Sequence, residues 1–151
     1  MEEFKTINDI LDFAINSEQE AVDFYTQLAN QSDNEEMKSV FTQFAKEEMG
    51  HKSKLMNIKE TGLYNINKNE VKDLKISDYL VDIEPRPDMS YQDALNVAMK
   101  KEKAAFKLYI NLSEKAPNSE MKELFLSLAQ EESKHKLRFE IEYDEYVLRE
   151  N

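Results

Sequence analysis

Residues 44–52 read FAKEEMGHK and residues 128–136 read LAQEESKHK. Each run sets an acid and a histidine three residues apart, Glu48 with His51 and Glu132 with His135, and these are the only two histidines of the chain. Three residues is a little under one turn of α-helix, so in a helix each pair points from one face. The apolar residues around both runs follow the same helical period. In the first they are Met37, Phe41 and Phe44, then Leu55 and Ile58; in the second, Met121, Phe125 and Leu128, then Phe139. Both pairs therefore fall in the middle of a stripe that should face a core.

The likeness of the two runs extends well beyond them. At an offset of 84 residues, Asp9–Lys52 aligns with Asp93–Lys136 without a gap. Identical pairs include Leu11/Leu95, Ala14/Ala98, Glu18/Glu102, Ala21/Ala105, Tyr25/Tyr109, Leu28/Leu112, Ala45/Ala129 and both Glu-x-x-His pairs. The chain is one helical hairpin written twice. Upstream stripes run Ile7, Leu11, Ala14, Glu18, Ala21, Tyr25, Leu28 and Leu95, Ala98, Glu102, Ala105, Tyr109, Leu112, so each again carries an acid at its centre. The gapless register selects Glu18, and not Glu20, as the counterpart of Glu102; Glu20 aligns with Ala104.

Helix limits follow from caps. Thr6 and Ser90 each precede a periodic run and have an aspartate three residues on, the pattern of an N-cap with an acidic first turn. The first helix is expected over 7–31 and the third over 91–115. The second should begin after Asp33 with Glu36 in a capping box, and end near Gly62. The fourth should begin near Pro117–Asn118 and reach about Tyr146. Short links within each pair make two antiparallel hairpins. Two glycines and three prolines in 151 residues suit helices better than a hairpin-rich β fold. The expected fold is all-α, a four-helix bundle in one domain, residues 1–151. Repeat 1 spans about 6–60, a crossover about 61–89, and repeat 2 about 90–146. A connection of that length could run the length of the bundle, making the second and third helices parallel. Leu74, Ile76, Tyr79, Leu80 and Val81 would pack it down as a short helix, and Pro85 and Pro87 lie beyond them.

Acids in a core stripe need a counter-charge, because an isolated buried carboxylate costs several kcal/mol or loses its charge. No lysine or arginine lies in the stripes. Glu18, Glu48, Glu102 and Glu132 carry four negative charges, which two divalent cations would balance, with His51 and His135 completing an oxygen and nitrogen donor set suited to iron or manganese. Glu47 and Glu131 sit beside the stripe and read as solvated or as supports for ligands. Tyr25 and Tyr109, seven residues after Glu18 and Glu102, read either as core tyrosines or as hydrogen-bond partners of a ligand carboxylate.

The net charge of −11 argues against nucleic acid or an anionic membrane as partner. The absence of cysteine excludes disulfides, thiolate metal sites and a cysteine nucleophile. MEEFKTINDI has neither the basic region nor the apolar run of a signal peptide, and no stretch approaches a membrane span, so a cytoplasmic protein is expected.

EEMGH (47–51) and EESKH (131–135), the upstream Glu18 and Glu102, the two tyrosines and the long crossover together resemble the rubrerythrin branch of the ferritin-like superfamily, over nearly the whole chain. The resemblance implies a ferritin-like bundle with a di-iron carboxylate site, manganese or a mixed iron/manganese pair being the alternatives. It also implies redox chemistry on peroxide or dioxygen and a homodimer or larger assembly. The chain departs from rubrerythrins in two respects. It has no Cys₄ rubredoxin-like site, so the electron donor would be a separate molecule such as a rubredoxin. Ala105 stands where rubrerythrins tend to have a further metal-site glutamate, three residues after the third helix's ligand, which makes the site more symmetric and nearer the ferritin pattern. Three functions follow: an oxidoreductase reducing peroxide or dioxygen, a ferroxidase or iron-handling protein, and a structural bundle with a vestigial site.

Overall fold

A computed structural model describes residues 3–81, 86 and 88–150. The described residues are all-α, with four long helices and two short ones between them. The long helices are α1 (Ile7–Gln31), α2 (Glu35–Thr61), α4 (Tyr91–Glu114) and α5 (Ser119–Glu150). The short α3 (Lys68–Lys72) and a 3₁₀ turn (Ile76–Tyr79) lie in the connection. The chain forms two compact units, Met1–Leu74 and Lys75–Asn151, each built on one hairpin.

In the first unit, Thr6 caps α1 through a complete capping box. Its hydroxyl accepts from the Asp9 backbone N–H, and the Asp9 carboxylate accepts from the Thr6 N–H. The chain turns over Ser32–Asn34 into α2, whose cap is Asn34, one residue later than expected; its side chain accepts from Met37 N at 3.1 Å. The third helical position is therefore Met37, and Glu36 makes no capping box. Asn34 takes the place of Asp33 because its carbonyl reaches the donor while Asp33 lies outside the helix. Gly62 ends α2 with φ 67°, a conformation that costs glycine nothing, and its N–H returns to the Ile58 carbonyl. The hairpin closes over Leu11, Ala14, Tyr25, Leu28, Met37, Phe41, Leu55 and Ile58, all buried. Ile7 and Phe44 are only half-buried. Across its outer edge Lys52 donates to Gln19 and Lys59 pairs with Asp12.

The second unit repeats this design. Ser90 accepts from Asp93 N and Asn118 from Met121 N, each 3 residues on. The buried set is Leu95, Ala98, Tyr109, Leu112, Met121, Phe125, Leu128 and Phe139. Helix α5 continues four residues past the expected end at Tyr146. Tyr146 there packs edge-on against Tyr91, ring centroids 5.0 Å apart, under the Arg149 guanidinium. Beneath them Tyr91 donates to the buried Glu142 at 2.8 Å, and Arg149 approaches the same carboxylate oxygen. This anchor at the open end of the hairpin explains the extra turn.

The connection is partly as expected. Leu74 and Tyr79 are buried, the latter accepting from the Asn111 amide on α4. Leu80, however, is exposed, and the helical turn covers only Ile76–Tyr79, while α3 forms upstream around its own Asn67–Glu70 capping box. Pro85 and Pro87 lie outside the described residues.

Two outcomes test this fold. Gly50 lies in the middle of α2, exposed, and a Cβ there would meet nothing within 4 Å. Gly50→Ala should raise stability by about 0.5–1 kcal/mol in urea denaturation. Burial first, and then its bond to Glu142, push the Tyr91 hydroxyl well above the ordinary 10.0. A pKa raised in the folded state gives stability that is complete below pH 10 and is lost as the pH climbs beyond it. Tyr91→Phe should flatten the alkaline fall in stability seen in unfolding measured from pH 9 to pH 11.

Candidate metal centre

Among the described residues, the buried charged and imidazole groups of the first unit are three. Glu18 on α1 and Glu48 and His51 on α2 are each at most 2% exposed, among Ala14, Ala21, Ala45 and Leu55. Their place follows from register. Glu18 occupies the stripe position between Ala14 and Ala21, and Glu48 and His51 the positions between Phe41 and Leu55. One imidazole nitrogen gathers the cluster: His51 Nδ1 lies 3.3 Å from Glu18 Oε2 and 3.4 Å from Glu48 Oε1. A ligand atom from each of the three falls within 4.8 Å of the others.

The second unit has the matching cluster. Glu102 on α4 and Glu132 and His135 on α5 are equally buried. His135 Nδ1 is 3.5 Å from Glu102 Oε1, and the three residues again offer ligand atoms within 4.8 Å of one another. All six residues proposed as ligands from sequence thus lie in two buried groups of three, one per hairpin.

The donor chemistry fits a cation. Each group offers two hard carboxylate oxygens and a borderline imidazole, the mixture that iron, manganese and zinc accept. Among the described residues no lysine or arginine is buried. Two carboxylates so close together repel, and desolvation raises the cost of holding both charged. A divalent ion between them would remove both penalties at once.

Tyr25 and Tyr109 are fully buried. Tyr25 packs edge-on to Phe44, centroids 6.5 Å apart, and tilted against Phe24; Tyr109 packs tilted against Phe125 at 6.0 Å. These rings line the same stripes as the ligands and fill the core one turn or two beyond them. Glu47 and Glu131 are half-buried beside the clusters, and Glu20 is exposed on α1. Ala105 is half-buried on α4. Glu142 is a buried carboxylate that the sequence reading passed over. Its signal was available, since it lies seven residues after His135 and aligns with the core residue Ile58 of the first repeat. With Tyr91 and Arg149 satisfying it, Glu142 is a structural acid, separate from the six.

The model of the rubrerythrin family matches residues 9–90 and 93–151. A solved structure from Thermotoga maritima, provisionally assigned as a ferritin-like diiron-carboxylate protein, aligns with a TM-score of 0.77 and 23% identity. That alignment covers 97% of this chain and 99% of the other. A hypothetical protein from Pyrococcus furiosus aligns with a TM-score of 0.69 and 25% identity, over 89% of this chain and 85% of its own. No match was found among curated proteins. The fold is thus ferritin-like, as the sequence leads one to expect, and no helix among the described residues is long and apolar enough to cross a membrane.

Binding to a folded site stabilises the fold by mass action. Anaerobic Fe(II) or Mn(II) at one hundred times its Kd should add about 2.7 kcal/mol to the unfolding free energy. The same metal should leave His51→Ala/His135→Ala nearly unchanged in parallel urea titrations.

Proposed function

Because the chain belongs to the rubrerythrin family, we propose that its two Glu–Glu–His clusters jointly hold a pair of iron ions, and that the protein reduces peroxide or dioxygen with electrons from a separate donor. The observation that carries this reading is the duplicate cluster. Glu18, Glu48 and His51 in one hairpin, and Glu102, Glu132 and His135 in the other, are buried in equivalent positions with four carboxylates in all. Two divalent ions match that charge. Manganese would satisfy the same donors; iron is chosen because the family likeness and the redox reading go together.

When bound, iron would supply one-electron redox chemistry and a Lewis-acidic position for the oxidant. The residues of this chain do the rest. His51 and His135 carry Nδ1 3.3–3.5 Å from the carboxylates, so acid and imidazole would hold an ion together. Glu18 and Glu102, each the one proposed ligand of its helix, would help to hold the ions beside the Glu-x-x-His pairs of α2 and α5. The surrounding alanines, leucines and phenylalanines keep bulk water from the donors, so protons reach the oxidant only through ionisable groups at the site. To Tyr25 and Tyr109, buried further along the same stripes, we assign the role of holding ligand carboxylates in place through their hydroxyls. Peroxide or dioxygen is the small substrate, a rubredoxin or similar carrier the donor, and a homodimer or larger oligomer the working form in the cytoplasm.

A second reading, ferroxidase or iron handling, is favoured by one feature. Ala105 leaves the two clusters symmetric, without the added acid that rubrerythrins tend to have. Light scattering and iron analysis separate the two. About two irons per chain in a small oligomer fits the oxidoreductase, and many irons per chain in a cage fits storage.

Anaerobic Fe(II)-loaded protein mixed with peroxide or with dioxygen in stopped flow should oxidise stoichiometrically, and faster with peroxide. Faster oxidation by dioxygen would remove the peroxidase form of the proposal. Glu48→Gln/Glu132→Gln should lose bound iron and the reaction together; unchanged metal content would instead indicate a vestigial site.

A further inference from the structure

The two hairpins agree in their cores and disagree on one outer face. Lys100, Lys103 and Lys107 are exposed on α4, on the side of the helix away from Glu102. With Ala104 they form one wall of a groove of about 300 Å³, whose other wall is Asp78, Leu80 and Val81. The repeat places Asn16, Gln19, Glu20 and Asp23 at the four matching positions of α1. One face thus carries two acids, and its counterpart three lysines. The exchange alters neighbouring contacts too. Gln19 accepts from Lys52, but Lys103 stands in its place, and the counterpart lysine, Lys136, pairs with Glu140 instead. The fold does not require these lysines, since the first hairpin is built without them. Among the described residues, none of the three forms an ion pair. They are a concentrated positive patch on a chain of net charge −11.

Their position is as telling as their charge. Lys103 directly follows the proposed ligand Glu102 in sequence, and Lys100 lies two residues before it. A partner seated on this face would lie about one helix diameter, ~10 Å, from the cluster of Glu102, Glu132 and His135. The exposed Leu80 and the half-buried Val81 give the patch an apolar centre with charges around it, the make-up of a transient protein interface.

We propose that the groove face of α4, Lys100, Lys103 and Lys107 against Leu80 and Val81, is the docking surface for an acidic one-electron carrier protein of the single-iron rubredoxin type. The proposal rests on the oxidoreductase reading above and adds where and by what chemistry the donor binds. At each encounter the donor's ferrous iron becomes ferric, and its electron reduces one ferric ion of the centre to ferrous. Two encounters restore both ions. Opposite charge on the two faces speeds the encounter and orients it, while the acidic remainder of the surface repels the carrier from other approaches.

The test uses the full chain and an acidic rubredoxin, with binding followed by calorimetry at low salt and electron transfer by stopped flow. Wild-type protein should bind oxidised rubredoxin with an affinity that falls as salt is added. K100E/K103E/K107E should weaken binding tenfold or more, and K100Q/K103Q/K107Q by an intermediate factor. K38E/K46E/K54E, which changes the net charge equally at exposed positions on α2, should stay within about threefold of wild type. Reduction of the iron-loaded ferric protein by rubredoxin should follow the same order, while reduction by dithionite stays constant across all four proteins. The proposal is overturned if wild type shows no binding at low salt, or if the α4 and α2 reversals behave alike. It is also overturned if the α4 reversal changes the oligomeric state in light scattering, which would make the face a contact between copies. Tight pyrophosphate binding in the groove without rubredoxin binding would likewise overturn it, in favour of a small anion. Failure of the di-iron reading looks different: the protein would hold no iron that dithionite reduces, and binding alone would decide the docking surface.

Discussion

A carboxylate in a helical core is held there against its hydration, and this chain does so four times over. Glu18, Glu48, Glu102 and Glu132 lie among alanine, leucine and phenylalanine with two imidazoles for company and no buried lysine or arginine among the described residues. Left alone, such groups would cost several kcal/mol each or give up their charge. The rest of the chain is arranged around meeting that cost. Capped helices fix the register that brings the acids to one level of each hairpin, and the aromatic residues above and below close the surroundings. Each histidine turns its Nδ1 to the carboxylates. The arrangement is economical for a cation and wasteful for a purely structural core, where leucine at the same positions would be more stable.

The contrast with Glu142 makes the point within one molecule. This acid is as deeply buried as the other four, yet Tyr91 and Arg149 reach it directly at the end of the hairpin. A buried acid serving the fold alone thus has a phenol and a guanidinium beside it. In the two clusters the acids instead lie beside imidazoles, with His51 Nδ1 3.3 Å from Glu18 and 3.4 Å from Glu48, and His135 Nδ1 3.5 Å from Glu102, a donor set suited to a shared ion.

Much of this was legible in the sequence because the determinants are local or periodic. The caps at Thr6 and Ser90, the left-handed stop at Gly62 and the stripes with their central acids all depend on residues within a turn or two of each other. The 84-residue repeat then supplied what one copy could not, the choice of Glu18 over Glu20. What escaped depended on geometry that no period encodes. Asp33 and Asn34 are both good caps, and only the path of the turn chose between them. Helix α5 outran its expected end because Tyr91 and Glu142, 51 residues apart, meet there. Leu80 looked like core by composition but lies exposed, while its neighbour Tyr79 is buried and bonded to Asn111 on α4. The outer faces, where the repeats part company, carry no fold signal at all; their difference becomes meaningful only once the groove beside α4 is seen.

The proposed function turns on the two irons being held as a coupled pair. Mössbauer and EPR spectra of protein loaded with ⁵⁷Fe and then oxidised test it directly. A dinuclear centre predicts an antiferromagnetically coupled diferric pair, diamagnetic at low temperature and silent in EPR, at two irons per chain. A strong high-spin ferric EPR signal accounting for all the iron would mean isolated ions, one per hairpin, and would contradict the account.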